Sequence, residues 1–433
     1  MGSSTRMARA KLPSNDYVPS SEALAILEVK PQTLYSYVSR GRVRRISPDG
    51  RSSFYNREDI QRLRARSEAR SGHGAVAESA MHWGEPVLVT NLTEITSAGP
   101  RYRQYLAVDL ARDGYAFEAV AEYLWSGSQL AKAAWWPADK SVAPIARQLA
   151  GLIESYPDLH ISQLLTEAVL LHGMDSAPEG VDTSAVSATA TARRLLVTLC
   201  GASGLIGPHK QFLAPAPGEN IAQMFARAFG IAASERQQRA IDAAFVLLAD
   251  HEFTPATFAA RIAASAGVDL HSCIGAALQV HFGSALGLRC DGVEKTLSRR
   301  LPTRPGDARY EKPATRRGLV ELGFRHPLYK NGDARAQEIL RLALELTEHA
   351  AAARTTLDAL KTIDDSGGLS LDAALVVFCR GLGIDQPVAG CLLALSRVAG
   401  WIAHVIEQRQ QDFMIRPRGK FTGSISRPEV AAE

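Results

Sequence analysis

Residues 322–335 read LGFRHPLYKNGDAR. Arg325, His326, Lys330 and Arg335 fall within eleven residues, with Asp333 the one acid among them. Glycines and a proline interrupt the stretch, so it reads as a loop and not as one face of a helix. Hydrogen-bond donors gathered this densely imply an anion to hold. Around the loop, the chain is helical in pattern. Residues 102–127, 141–156 and 235–253 carry apolar residues at helical intervals, and the third segment ends at His251 and Glu252. GGLSLDAALVVFCRGLGI and VAGCLLALSRVAGWIAHVIEQ read as further helices. Strand signals are few, with one short hairpin expected near 86–95. No repeat of 20–50 residues is visible. The expected architecture is mainly α, with an Ala-rich core that lets helices approach closely.

The 433 residues suffice for two or three domains. A content of 46% hydrophobic and 22% charged residues is that of a globular chain. No apolar run approaches the roughly 18 residues of a membrane span, so no membrane is expected as a partner. Residues 1–16 are basic and lack an apolar stretch, which reads as a flexible tail and not as a secretory signal. The five cysteines form no CxxC pair and are odd in number. They read as reduced, buried thiols of a cytoplasmic protein, with no metal site and no disulfide framework. No dinucleotide-binding glycine motif occurs.

Charge is uneven. Residues 1–70 hold 14 Lys/Arg against 7 Asp/Glu, a net +7, which leaves −3 for the rest of a chain of net +4. Within 17–66, Ser20 or Ser21 opens a short helix carrying Ala23, Leu24 and Leu27. Pro31 suits the first position of a second helix that stops at Gly41. A hairpin turns at Pro-Asp-Gly, and Asn56 caps a third helix. This order resembles the winged helix-turn-helix domains of the MerR and excisionase families. The resemblance implies DNA as a partner, with Gln32, Thr33, Tyr35, Ser36 and Arg40 in the major groove. Arg42, Arg44, Arg45 and Arg51 would meet phosphate or the minor groove. A small interaction domain with a solvated basic face is the alternative. Residues 67–80, small and polar, read as a linker.

From about residue 80 onward several segments in order resemble the citrate synthase and 2-methylcitrate synthase family. They are RYRQY…FEAVAEYLWSG, DHEFTPATFAAR, GFRHPLYKNGDARA, RVAGWIAHVIEQ and IRPRGKFTG. The resemblance implies a large domain of 81–286 with 379–433 and a small domain of 287–378. It also implies condensation of an acyl-CoA such as acetyl-CoA with oxaloacetate or a related oxo acid, with no tightly bound cofactor. By resemblance His326 polarises the acceptor ketone, Arg335 and Arg397 bind its carboxylates, and His251 completes the oxo-acid pocket. Arg416 reaches in from the second subunit of a homodimer, Lys330 faces the CoA phosphates, and Asp372 is the base. Taken alone, His251 reads equally as a helix-end dipole partner, Arg397 as half of a structural salt bridge and Asp372 as a helix N-terminal acid.

The departures fall on one side of the reaction. HFGSALGLRCDG stands where the family has Gly-Pro-x-His-Gly-Gly-Ala-Asn, so Leu286 replaces the enol-stabilising His, and Leu288 and Arg289 replace small residues. His281, five residues earlier, is a possible substitute, but helix geometry would turn it away from Leu286. Thr254 and Pro327 replace a family Asn and Arg. An acceptor pocket kept beside a damaged enolising side leaves other readings open. One is a weak or inactive metabolite-sensing DNA-binding regulator. Another is a non-catalytic subunit that completes the site of an intact paralogue in a heterodimer.

Overall fold

The computed structural model describes residues 17–27, 29–47, 52–69, 88–136, 142–175, 185–283, 288–300, 328–329, 332–361, 369–385, 388–411 and 413–417. It divides into two units, Met1–Val89 and Thr90–Glu433.

In the first unit β1 (Tyr17–Pro19) leads into α1 (Ser20–Leu27), then α2 (Pro31–Ser39), β2 (Arg45–Ile46), β3 (Phe54–Asn56) and α3 (Arg57–Ala69). Pro31 occupies the first turn of α2, where its missing N–H costs nothing. Gly41, at φ 67°, takes the left-handed conformation that closes the helix. The side-chain Oδ1 of Asn56 accepts from the Asp59 amide at 3.2 Å and caps α3. Strands β2 and β3 pair antiparallel, with Ile46 opposite Phe54, and the expected Pro-Asp-Gly turn lies outside the described residues. Strand β1 was not expected; it pairs antiparallel with β3, so the sheet order is β1-β3-β2. Three residues are too few to show a period-2 pattern in sequence. Val18, Ala23, Leu27, Leu34, Val43, Tyr55, Ile60 and Leu63 form the core.

The second unit opens with a three-stranded meander, β4 (Thr93–Thr96), β5 (Gly99–Tyr102) and β6 (Tyr105–Leu106). The hairpin expected at 86–95 is thus displaced: residues 88–92 form no strand, and the partner strand lies beyond Thr96. The helical reading of 102–127 is corrected as well. Tyr102 ends a strand, and two short helices follow, α4 (Ala107–Arg112) and α5 (Phe117–Ser126). Gly114, at φ 68°, lies in the turn between them.

The remaining helices are α6 (Ala143–Ser155), α7 (Ile161–Asp175), α8 (Ala185–Ser203), α9 (Ile221–Ala228), α10 (Glu235–Leu248), α11 (Pro255–Ser265) and α12 (Leu270–His281). After them come α13 (Leu288–Arg300), α14 (Ala334–Glu345), α15 (Ala350–Lys361), α16 (Leu371–Gly381) and α17 (Ala389–Gln411). Helix α17 is the axis of the unit, packing against α5, α8, α10, α11, α12, α13 and α16. By length and apolarity (mean hydropathy 1.6 over 18 residues) it would span a membrane, which corrects the expectation that no such run exists. Its whole apolar window is buried inside the protein, as befits a core helix.

Two features bind α17 to the turn after α10. Gly400 donates its amide to the Ala249 carbonyl at 2.9 Å, and a methyl on Gly400 would overlap Asp250 Oδ1 and that carbonyl. Arg261 of α11, fully buried, pairs with Glu407, donates to Gln408 Oε1 at 2.9 Å and contacts His404 Nδ1 at 3.2 Å. His404 Nε2 in turn meets Asp250 Oδ2 at 3.3 Å. This network fixes residues 249–251 at the middle of the core.

All five cysteines are free and buried, and burial pushes each thiol upward. Among the described residues no group of His, Cys, Asp and Glu is arranged to hold a metal.

Candidate active site

Helix α10 ends at Leu248, earlier than the apolar period of 235–253 suggests. The cause is tertiary. The Tyr102 hydroxyl lies 3.1 Å from the Val246 and Leu247 carbonyls and 3.3 Å from that of Asp250, and receives the Asp250 amide at 3.2 Å. These contacts draw the chain out of helix. Glu252 then adopts φ 53°, a left-handed conformation that a non-glycine residue enters at a cost. His251 therefore lies beyond the helix end. It is buried, and its Nε2 is 2.7 Å from the Tyr329 hydroxyl.

Tyr329 brings the next cation into place. The Arg335 guanidinium lies 5.5 Å from the Tyr329 ring centroid. Arg335 stands in the first turn of α14 and is 2% exposed. Asp333 caps that helix by accepting the Arg335 amide at 3.0 Å. Its carboxylate also takes Nε at 3.1 Å and Nη2 at 2.7 Å, a bidentate fork that fixes the guanidinium plane. Burial opposes the charge, but Asp333 outweighs it and holds Arg335 above its ordinary range. Among the described residues Nη1 has no hydrogen-bond partner.

Arg397 comes from α17 and is 5% exposed. Unlike Arg335 it makes no ion pair or hydrogen bond among the described residues, and its Nη1 is likewise buried without a partner. Burial, and then the Arg335 charge, pull its pKa down to about 10, against the weaker opposing pull of Asp250. The salt-bridge alternative for Arg397 thus does not describe its contacts. Two guanidinium groups buried close enough to repel, with one donor each unused, form an arrangement that an anion completes.

Asp372 lies in the first turn of α16, as its alternative reading allowed, and is buried. Its Oδ2 pairs with Arg289 Nε at 3.5 Å and accepts from Ser370 Oγ at 3.3 Å, while the Cys290 thiol reaches Oδ1 at 3.8 Å. Arg289 and Cys290 are residues that replace the family's Ala and Asn. No contact among the described residues joins this group to the arginine pair. Arg416 is exposed on its own chain. Thr254, the family Asn, caps α11 by accepting the Thr257 amide at 3.2 Å. His326, Lys330, Leu286, Pro327 and Arg51 lie outside the described residues. A cleft of about 650 Å³ is lined by residues of 209–238 and includes none of these side chains.

In the first unit Gln32, Tyr35, Arg40, Arg42, Arg44 and Arg45 are exposed, and Thr33 and Ser36 are half-buried. Arg44 differs from its neighbours. It donates from Nε to Asp59 Oδ2 at 2.8 Å, and from Nη2 to Asp59 Oδ1 at 3.0 Å and Asn56 at 2.9 Å. It braces β2 against α3 instead of standing free for phosphate.

The family model of the citrate synthase C-terminal domain matches residues 81–418. The chain belongs to the citrate synthase family. Citrate synthase of Mycolicibacterium smegmatis is 27% identical over 372 residues, which are 81% of this chain and 97% of that protein. The 2-methylcitrate synthase of Mycobacterium tuberculosis is 26% identical over 362 residues, covering 78% and 89%. The solved citrate synthase of Thermoplasma acidophilum, in ternary complex with carboxymethyl coenzyme A and oxaloacetate, superposes with a TM-score of 0.63 at 21% identity. That likeness covers 80% of this chain and 96% of that one, and it supports the mainly helical citrate synthase fold.

The family resemblance pointed to His251, Arg335 and Arg397, and the fold sets all three near Tyr329. Tyr329 was inside the quoted loop, an aromatic set among donors, and was passed over. Asp333 carried a further signal: an acid two residues before an arginine at a helix start can cap the helix and fork the side chain together.

Proposed function

We propose that residues 81–433 form a citrate synthase-type acyltransferase body, with a large domain of 81–286 and 379–433 and a small domain of 287–378. It binds oxaloacetate or a related oxo acid and condenses it, slowly, with acetyl-CoA or another acyl-CoA. The observation that carries the first half is the pair of buried Nη1 atoms on Arg335 and Arg397, neither with a hydrogen-bond partner among the described residues, where Arg397 also has no ion pair. Two carboxylates of the oxo acid supply the missing acceptors, and the Asp333 fork keeps Arg335 oriented to receive one. His251 and Tyr329, bonded to each other, line the same site.

Condensation needs a base for the thioester α-proton, a donor at the enol oxygen and a donor at the ketone. On this reading Asp372 is the base, His326 polarises the ketone, Lys330 faces the CoA phosphates and Arg416 completes a neighbouring site in a homodimer. Leu286 offers the enol oxygen no donor. One lost preorganised donor slows such a step by about 10²–10³. Asp372 is further engaged by Arg289, Cys290 and Ser370. Thiol release from acetyl-CoA in the presence of oxaloacetate, measured on the purified chain alone, is expected to run about a hundred-fold or more below an ordinary family member. A rate within about tenfold of such an enzyme would overturn the impaired-donor reading.

A second reading has its own support: a metabolite-sensing regulator whose residues 17–66 form a winged helix-turn-helix that binds DNA. It is favoured by the exposed Gln32, Tyr35 and Arg40 on and just after the second helix, and by Arg42 and Arg45 leading into the hairpin. In a gel shift the full chain is expected to retard duplex DNA at low salt. Affinity should fall steeply as salt rises, because each phosphate contact releases a counterion. No retardation at low salt by folded protein would remove this reading. A heterodimer with an active paralogue, in which Arg416 serves the partner's site, predicts instead that thiol release appears only on mixing the two chains.

A further inference from the structure

We infer that His281 is a further ligand-binding residue of the oxo-acid pocket, donating from Nε2 to an oxygen of the anion held by Arg397. The inference rests on the anion-pocket reading above, but on a residue to which neither the family resemblance nor that reading gives a role.

His281 is the last residue of α12, and that helix packs on α17. Its ring meets the Trp401 indole edge-on, with centroids 5.3 Å apart, and the adjacent Phe282 at 5.2 Å. Trp401 and Arg397 are four residues apart on α17, so they share one face, and His281 lies against that face. The imidazole is 6% exposed. Among the described residues Nε2 is buried without a hydrogen-bond partner, as is Arg397 Nη1. Both atoms lack a partner on the same face of α17, and the Arg397 charge acts on the imidazole. Both are donors, Arg397 always and His281 in its Nε2–H tautomer. What is missing between them is an acceptor.

The protonation state is fixed by the surroundings. Burial first, and then the positive charge of Arg397, lower the imidazole pKa to about 3. Across the whole neutral range His281 is therefore uncharged and carries a single N–H. It adds direction to the site and no charge. An uncharged donor suits a carboxylate or keto oxygen already neutralised by two guanidinium groups. A buried orphan nitrogen is unusual in a folded core and is explained if ligand or water fills the position. A purely aromatic role, packing against Trp401, would not need a nitrogen there.

The test is calorimetric titration with oxaloacetate on the full-length wild type, His281→Phe and His281→Gln. Phenylalanine keeps the ring contacts and removes the donor, while the glutamine amide can set an N–H near the Nε2 position. The expected result is about tenfold weaker binding by His281→Phe, with a melting temperature equal to or above wild type, and binding restored to within about threefold by His281→Gln. Oxaloacetate bound by His281→Phe as tightly as by wild type would overturn the inference while leaving the arginine pocket standing. The same holds if His281→Gln binds no better than His281→Phe. If the phenylalanine variant does not fold, the wild-type protein decides: the His281 Nε2 resonance of 15N-imidazole-labelled chain, assigned with His281→Gln, must shift on adding oxaloacetate. An unmoved resonance under saturating ligand contradicts the inference. No binding by wild type at all would remove the pocket reading itself, and this one with it.

Discussion

Arg397→Met is expected to lower oxaloacetate affinity by about a hundred-fold or more and, at the same time, to raise the melting temperature by a few degrees. The two effects share one cause. Arg397 is buried beside Arg335 and has no ion-pair partner among the described residues. Its pKa is pulled from its ordinary value down to about 10, so the folded chain holds that proton less tightly than the unfolded chain does. The cost of the charge is borne in full below pH 10 and is relieved only above it. Methionine fills similar space without the charge. Arg335→Met is the contrasting case. It should lose oxaloacetate binding as severely, yet destabilise the protein, because it strands the buried Asp333 carboxylate. Breaking a buried pair from one side costs about 3–5 kcal/mol. Calorimetry and thermal melts on the two variants separate a residue kept for its ligand from one that also holds the fold. Equal destabilisation by both would contradict the account.

Leu286→His should raise thiol release from acetyl-CoA with oxaloacetate by about 10²–10³ over the starting chain. The gain should be larger when Arg289→Ala is added. Arg289 lies 3.5 Å from Asp372 Oδ2, on the carboxylate proposed to take the substrate proton, and occupies one of its faces. Restoring the enol donor without freeing the base repairs half of the step. The discriminating measurement is kcat in the single and double variants, with KM for oxaloacetate as the control. That KM should stay constant, since neither position belongs to the arginine pair. A double variant no faster than Leu286→His alone would show that Arg289 does not restrain Asp372.

How far the sequence could be read depended on where each cause lay. Arg335, Arg397 and His251 were legible because few residue types can bind carboxylate, and their setting matched a family pattern. The end of α10 was not legible. The apolar period of its sequence runs on past Leu248, and what stops the helix is the Tyr102 hydroxyl, some 145 positions away in the chain. Strand β5 was hidden by composition: it begins Gly-Pro, residues that sequence rules place in turns. Helix α17 was seen as a helix, but its role as the axis of the core rests on contacts with seven other helices, which no local pattern carries. Helical direction turns His281 away from Leu286. Its relation to Arg397 runs through the packing of α12 on α17, visible only in the fold.

The central claim is that Arg335 and Arg397 together hold one dicarboxylate. Isothermal titration of the full-length chain with oxaloacetate tests it most directly, with Arg397→Met as the paired control. The account predicts saturable one-to-one binding by wild type that is lost in the variant. No heat of binding in wild type at millimolar oxaloacetate, or equal binding by both proteins, would contradict it.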